Sequence, residues 1–350
     1  MGSSQHREPL SDEALFEGVL LGTAVGDALG LAAEGLSAGV IAKRFGRVDR
    51  YRILGSVGWV SDDTEQSALV AQSLVRSAGD VEETVSAFRR AILGWFWRLP
   101  WGLGLATLRA CLKLTLGLAK SGVRSAGNGA AMRSAIVGAY FRDDERTRSR
   151  AASALAEVTH TDSRAVEGAV FVADVVAAEG TGRARLVAAR ERVTNPELGA
   201  SIDRALALAD AGTTMLDAAR TLGNTGFTVH TLALASFAFA REEGRSVREI
   251  LPELYGAGGD TDSIGAIVGA WLGAQRGVEA FDALWIERLQ SGPFGLAHLR
   301  ALATALARAR SSGRGTQAPR FSWPWALARN LLMVPVILAH GFRRLAPPYV

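Results

Sequence analysis

The sequence predicts an all-α protein built around one large core, and three observations predict it. Hydrophobic residues fill 48% of 350 positions, with Ala, Leu and Gly dominant. Few segments show the alternation of β-branched and aromatic residues that marks strands. Apolar residues recur instead at helical spacing through most of the chain. The length alone would allow two domains, yet the body holds no internal repeat and no dividing linker.

The elements follow in order. A first helix starts near Asp12 and carries Gly18, Gly22, Gly26 and Gly30. Glycines every four residues line one face, where a second backbone can approach closely. Residues 48–60 are the one stretch suited to extended structure, and they deliver the chain to Ser61. Helical periodicity then covers about 64–78, 82–97 and 103–119. Residues 122–129 read as a loop and 130–141 as a buried helix. Further helices fall at 145–157, 163–178 and 198–210, with 180–195 an additional candidate. A break at 223–226 precedes an apolar helix at 229–241. Helix 262–275 and a long helix at 284–311 complete the body. Ser311-Ser312-Gly313-Arg314-Gly315 is the one linker, so the chain divides into a flexible 1–12, a domain at 13–311 and a tail at 312–350.

Composition excludes several classes. A single cysteine, Cys111, rules out an intramolecular disulfide and a cysteine-based metal site, and fits a reducing compartment. Residues 1–13 are polar and charged, without an apolar signal segment, so the cytoplasm is the expected location. The basic balance is local: 308–350 holds seven arginines and no acidic residue. The first 307 residues carry 32 basic against 35 acidic side chains, net −3. The pI of about 9.6 therefore belongs to the tail, and no nucleic-acid surface is expected.

Two acidic clusters carry the chemistry: Ser61-Asp62-Asp63-Thr64 and Gly258-Gly259-Asp260-Thr261-Asp262-Ser263. Each follows a glycine-containing loop and opens a helix-patterned stretch. One Asp at a helix start is ordinary capping. A second carboxylate in the same turn repels the first, and capping does not explain it. Two such pairs, each beside a hydroxyl, suggest four carboxylates converging on a cation; two unrelated capped helices are the competing reading. An all-oxygen set without His or Cys favours Mg2+ or Mn2+ over Zn2+.

Three further segments complete a pattern. They are Gly18-Val19-Leu20-Leu21-Gly22-Thr23-Ala24-Val25-Gly26-Asp27-Ala28-Leu29-Gly30 with Glu34, then Gly127-Asn128-Gly129-Ala130-Ala131-Met132-Arg133, then Thr159-His160. In this order and with these acidic clusters, residues 14–280 resemble the ADP-ribosylglycohydrolase family, which includes dinitrogenase-reductase-activating glycohydrolases and ADP-ribosyl-acceptor hydrolases. Secondary echoes are Trp101-Gly102-Leu103-Gly104-Leu105-Ala106-Thr107 and Gly226-Phe227-Thr228-Val229-His230-Thr231-Leu232. The resemblance implies a compact orthogonal helical bundle with a metal cleft built from loops at helix N-termini.

What the resemblance implies for the site is specific. Ser61, Asp62, Asp63, Asp260, Asp262 and Ser263 would hold the metal, two Mg2+ ions with Mn2+ as the alternative. The family usually has threonine where Ser61 and Ser263 stand; serine keeps the oxygen but loses the stiff β-branched rotamer. Gly127, Asn128, Gly129, Met132 and His160 would bind ADP-ribose, with the glycine loop facing phosphate at a helix N-terminus. Glu34 and Asp63 are the candidates for activating water or protonating the leaving group. Glu34 sits in a loop and should move with substrate access; without the resemblance it would be an ordinary solvated residue. Asp27 opposes the helix macrodipole and should hydrogen-bond a neighbouring loop. Arg133 reads first as a buried arginine pairing with a core carboxylate, second as a ligand contact. His6, His298 and His340 match nothing, and His230 has no assigned role.

The expected function is hydrolysis of ADP-ribose from a modified protein or small molecule. Arginine-linked acceptors come first, since the motifs are closer to bacterial glycohydrolases of that type. Serine-linked acceptors come second, a small ADP-ribose ester third, and a crystallin-like or ADP-ribose-binding protein without turnover is the alternative of a different class. The tail has two readings. Trp323-Pro324-Trp325, an uncharged run over 330–342 and Arg343-Arg344 would suit an interfacial membrane contact over 323–344. The same segment could fold back on an apolar patch of the body. Pro335 is expected to kink or break any helix there.

Overall fold

The first helix begins where Ser11 accepts the Ala14 amide and runs, as α1, over Asp12–Gly30. The computed structural model to which it belongs describes residues 10–345. Next come α2 (Ala38–Phe45), α3 (Asp62–Ser77), α4 (Val81–Phe96) and α5 (Leu105–Thr115). The middle of the chain forms α6 (Ala135–Tyr140), α7 (Glu145–Glu157), α8 (Ser163–Ala177), α9 (Gly182–Arg190) and α10 (Pro196–Asp210). Then follow α11 (Met215–Leu222), α12 (Thr228–Ala240), α13 (Val247–Tyr255), α14 (Thr261–Arg276), α15 (Ala283–Glu287), α16 (Leu296–Ser312) and α17 (Trp323–Leu345). Most starts are chemically marked: Asp80, Asp144, Thr181, Asn195 and Thr214 each accept an amide of their own first turn. Among the described residues there is no sheet, so the all-α expectation holds.

Glycine sets the centre. A Cβ on Gly18, Gly22 or Gly26 would lie 2.3, 2.2 or 2.0 Å from the carbonyl oxygens of Gly273, Gly269 and Gly265. Falling numbers on one helix meet rising numbers on the other, so α1 and α14 pack antiparallel, backbone against backbone. The sequence showed the α1 stripe; the matching stripe on α14 was not read, although it also repeats every four residues. This pairing has a functional result. It brings the C-terminal end of α1, with Asp27, against the N-terminal end of α14, with Asp260 and Asp262. Around the pair, Trp271 is fully buried between Phe171 and Phe239 and donates to the Val172 carbonyl at 3.2 Å.

Several boundaries differ from expectation. Residues 48–60 form no strand and contribute only the isolated bridges Leu54–Val57 and Gly58–Leu289. The helix expected at 130–141 is reduced to Ala135–Tyr140. Arg133 reaches back to the Gly129 carbonyl at 2.8 Å, which diverts an oxygen from helical pairing. The long helix expected at 284–311 is two helices. The first stops at Glu287, and Gly292, at φ +94°, with Pro293, without an N–H, lies in the break before α16 begins at Leu296. The helices α2, α11 and α13 were not read from the sequence; α13 even contains Pro252. Residues 1–9, including His6 and most of the N-terminal segment, lie outside the described residues, as do 346–350 and the side chains of His340, Phe342, Arg343, Arg344 and Leu345.

The tail forms one helix against the body. Pro335 lies inside α17 and does not break it. The carbonyl that Pro335 leaves without a partner belongs to Leu331, an exposed residue, so water can satisfy it. No helix among the described residues is long and apolar enough to cross a membrane.

Candidate metal centre and ligand cleft

Three helix ends converge. The N-termini of α3 and α14 meet at the C-terminal end of α1, and the two acidic clusters face each other there. Ser61 and Ser263, one from each cluster, both donate to Asp63 Oδ2, at 3.0 and 3.3 Å. Gln66 Nε2 donates to Asp62 Oδ2 at 3.0 Å. Asn128 Nδ2 donates to Asp260 Oδ2 at 2.5 Å and to Thr231 Oγ1 at 3.0 Å. Helix N-termini favour carboxylates, but they do not supply enough compensation for this many.

The carboxyl groups show the deficit. Burial pushes Asp63 well above the ordinary carboxylate range, reinforced by the charges of Asp27 and Asp260. Asp62 rises for the same reason, with Asp63 and Asp27 adding to burial. Asp262 rises through burial and the charges of Glu34 and Asp260. Asp260 is raised by burial as well. Without a cation these groups give up their protons less readily than they would in water.

The donor set fits a hard divalent cation. Asp27, Asp63 and Asp262 each offer a carboxylate oxygen, all within 4.8 Å of one another. The Oδ1 atoms of all three are buried and have no hydrogen-bond partner. Three clustered carboxylates, each with an oxygen that no donor answers and with hydroxyls nearby, are what an oxygen-preferring ion requires.

Asp27 thus has two faces. Its Oδ2 accepts from the Ser61 amide at 2.8 Å, the Thr64 amide at 3.3 Å and Thr64 Oγ1 at 2.5 Å. This is the loop contact the sequence led us to expect. Burial lifts its pKa to about 7, against the pull of those hydrogen bonds. Its presence within the oxygen cluster was missed. The signal was available, since Asp27 lies between the last two glycines of the stripe that α14 must meet.

A cavity of about 630 Å3 opens from this centre. Glu34, Asp62, Asp63, Asp260, Asp262 and Ser263 line one side of it. Gly127, Asn128, Gly129, Met132 and His160 line the other. Eleven of the twelve residues singled out in the sequence therefore share one cavity. Ser61 is the twelfth and sits behind Asp63. Thr107, Ser125 and Thr225 also line the cavity and were not singled out.

Local structure explains each placement. Glu34 lies in the turn after α1, and that turn is stitched to the second acidic loop. The Gly35 amide donates to the Gly259 carbonyl at 2.7 Å, and the Gly259 amide to Leu36 at 3.0 Å. The backbone of the Glu34 turn is thereby held to the loop that carries Asp260 and Asp262. The glycine loop is also partly committed. The Gly127 amide donates to Ser125 Oγ and the Asn128 amide to the Gly226 carbonyl, and no helix begins until Ala135. The expectation of a free loop opening directly into a helix N-terminus is corrected accordingly.

His160 packs its ring against that loop. A Cβ on Gly129 would lie 3.0 Å from His160 Cε1. Its Nδ1 pairs with Thr159 Oγ1 at 2.8 Å, and Thr159 Oγ1 also accepts from Arg133 at 2.7 Å. Burial and the Arg133 charge lower its pKa to about 3, so the ring is neutral. Arg133 is buried, as expected, but its partner is Gln66 Oε1 at 2.8 Å and not a carboxylate. Gln66 bonds Asp62, so the arginine supports the metal cleft through one intermediary. His230 gains a role too: with Nδ1 2.9 Å from Thr225 Oγ1, it braces the loop carrying Thr225 and Gly226 to the cavity.

Comparison with known proteins agrees. The ADP-ribosylglycohydrolase family profile matches residues 9–315, ending in the linker before the tail. An uncharacterized protein of Archaeoglobus fulgidus is 32% identical over 308 residues, covering 84% of this chain and 96% of that protein. The uncharacterized protein YegU of Escherichia coli K12 is 27% identical over 302 residues, covering 76% and 88%. Among solved structures, an ADP-ribosylglycohydrolase-related protein complex is 29% identical with a TM-score of 0.64, covering 86% of this chain and 99% of its own. With the fold, the converging carboxylates and this match in hand, the chain belongs to the ADP-ribosylglycohydrolase family, a metal-dependent family of glycosidase-type hydrolases of ADP-ribose linkages.

Proposed function

We propose that this enzyme removes ADP-ribose from a mono-ADP-ribosylated acceptor, with Mg2+ as its metal and an arginine side chain as the acceptor. One observation carries the reading: five carboxylates, Glu34, Asp62, Asp63, Asp260 and Asp262, face a cavity with no Lys or Arg among its lining residues. A cationic guanidinium leaving group suits such a wall, whereas a serine-linked acceptor brings no charge to meet it. Serine-linked substrates remain the second reading. A crystallin-like or purely ADP-ribose-binding protein gains nothing from burying so many acids, which costs stability unless a cation answers them.

Asp62, Asp63, Asp260 and Asp262, with Asp27 beneath them and the hydroxyls of Ser61 and Ser263, would hold two Mg2+ ions, or Mn2+ in their place. The metal would supply charge compensation and a template for the ribose hydroxyls. The chain itself does the rest. Glu34 and Asp63 divide the proton transfers at the glycosidic bond, one activating water and the other assisting departure. With no cationic side chain on the wall, the diphosphate falls to backbone N–H groups near Gly129 and to the hydroxyls of Thr107, Ser125 and Thr225. Neutral His160 and Met132 offer a face for the ribose or adenine. A single buried thiol, Cys111, pushed up to about 12 by burial, is compatible with the cytoplasm.

The test is release of ADP-ribose from arginine-linked and serine-linked substrates side by side, with Mg2+ and with a chelator. Metal-dependent release from the arginine substrate is the expected result. Release from neither substrate, with intact ADP-ribose binding, would favour the non-catalytic reading.

A further inference from the structure

The two readings of the tail are not exclusive, because α17 has two faces. Ala326, Arg329, Asn330 and Met333 are buried against the body. Arg329 pairs with Glu65 in the first turn of α3, and Asn330 Nδ2 donates to the Arg98 carbonyl at 2.8 Å. Trp95 Nε1 donates to the other oxygen of Glu65 at 2.6 Å, which fixes that carboxylate. These bonds lock the rotation of α17 about its axis.

The opposite face is therefore held toward solvent, and it is apolar. Trp325, Leu331, Leu332 and Leu338 are 56%, 50%, 71% and 53% exposed. No charged residue interrupts 330–342. Beside the helix, on either side of the Arg98 whose carbonyl Asn330 holds, Trp97 and Leu99 are 52% and 54% exposed. An exposed apolar helix face of this kind marks an interaction site.

Charge selects its occupant. Between 308 and 350 there are seven arginines and no acidic residue. Arg310 is paired with Asp12 and Asp143, and Arg329 with Glu65. Arg308, Arg314 and Arg320 are exposed, and Arg343 and Arg344 close the helix in sequence. A second copy docking through the same face would bring like charge against like. α17 cannot cross a bilayer. We propose that the outward face of α17, with Trp97 and Leu99, docks the protein on an anionic lipid surface, lying in its plane. Tryptophans at the interface and arginines at the headgroups follow the pattern of surface-bound helices. Since α17 is bonded to the helix that carries Asp62 and Asp63, the cleft would work close to that surface. The family assignment plays no part in the docking itself.

The experiment uses the full chain and two kinds of vesicle, phosphatidylcholine alone and phosphatidylcholine with phosphatidylglycerol. Sedimentation should show binding to the second only, weakening as salt shortens a screening length of roughly 8 Å at physiological ionic strength. Leu331→Glu with Leu332→Glu should reduce the bound fraction about 10-fold, with the melting temperature and hydrolysis of a soluble substrate unchanged. Trp325→Ala is the second variant should that pair fold poorly, and it should also reduce binding. Absence of binding to anionic vesicles at low salt overturns the proposal, as does binding indifferent to both variants. Light scattering supplies one more arm: a dimer that the double variant turns into a monomer, without vesicle binding, would make the face a self-interface and overturn the proposal.

Discussion

Asp27 holds Ser61 by its amide at 2.8 Å, and so anchors the helix that carries the first acidic pair from a different helix altogether. The same side chain leaves its other oxygen without a hydrogen-bond partner and offers a carboxylate oxygen within 4.8 Å of those of Asp63 and Asp262. One side chain thus caps α3 and borders the metal position. The two roles separate chemically, because an amide can cap but carries no charge.

Asp27→Asn should keep the fold, since Asn Oδ1 can accept from Ser61 and Thr64, yet weaken Mg2+ activation. Asp27→Ala should lose the cap as well, costing about 1–2 kcal/mol of stability. Urea unfolding and Mg2+ titration of activity on both variants check this. Equal metal response in the wild type and the Asn variant would leave Asp27 as a cap alone.

Gly102 touches the site from the other side. It sits at φ +80°, and a Cβ there would lie 2.6 Å from Asp62 Oδ1. Gly102→Ala should cost about 1 kcal/mol or more through backbone strain, and displace Asp62. The apparent Mg2+ affinity should fall roughly 10-fold, as expected when a group positioning a ligand is disturbed. A Tm measured against Mg2+ concentration reads both effects; an unchanged Mg2+ midpoint would remove Asp62 from the metal set.

Glu34 differs from the aspartates in lying on a turn, half-buried at the cavity edge. If it transfers a proton, Glu34→Gln should lower kcat by about 100-fold or more, while ADP-ribose binding by calorimetry changes little. Unchanged turnover would return Glu34 to a solvated role.

Much of this was legible because local chemistry and tertiary role coincide. The acidic pairs could be read as a site since two carboxylates in one helical turn repel, and the structure brings Asp62, Asp63, Asp260 and Asp262 to one cavity. The α1 glycines could be read as a close-approach stripe for a similar reason. What escaped depends on partners distant in sequence. Nothing local tells that Asp27 reaches Thr64, that Gln66 stands between Arg133 and Asp62, or that Arg329 finds Glu65. Boundary errors came from reading periodicity through breakers: Gly292 and Pro293 stand in plain view inside the stretch taken as one long helix. Of the two outcomes expected at Pro335 the break does not occur, because a proline whose abandoned carbonyl faces water costs less than one in a packed interior.

Two buried histidines predict how stability varies with pH. His298 lies between Phe294 and Phe321, with Nε2 3.1 Å from Gln72 Nε2, so its ring must accept there. Burial lowers its pKa to about 4, and that of His160 is lowered to about 3 by burial and Arg133. In the unfolded chain both return toward 6.5. Below that value the unfolded state binds protons the folded state refuses, so the stability they contribute is complete above it. It is lost progressively as pH falls, down to about 4 for His298 and about 3 for His160. The limiting slope is about 1.4 kcal/mol per pH unit for each ring. The raised carboxylates act in the opposite sense in metal-free protein: Asp27, shifted from 3.8 to about 7, withdraws stability as pH rises through that window. A single curve would mix the two, but a difference does not. His298→Gln keeps a hydrogen bond for Gln72 and removes one titrating group. Its urea-unfolding free energy should therefore fall less steeply than that of the wild type between about pH 6.5 and pH 4.5, and the gap should close above that range. Parallel curves would mean that His298 takes up its proton in the folded state as readily as in water.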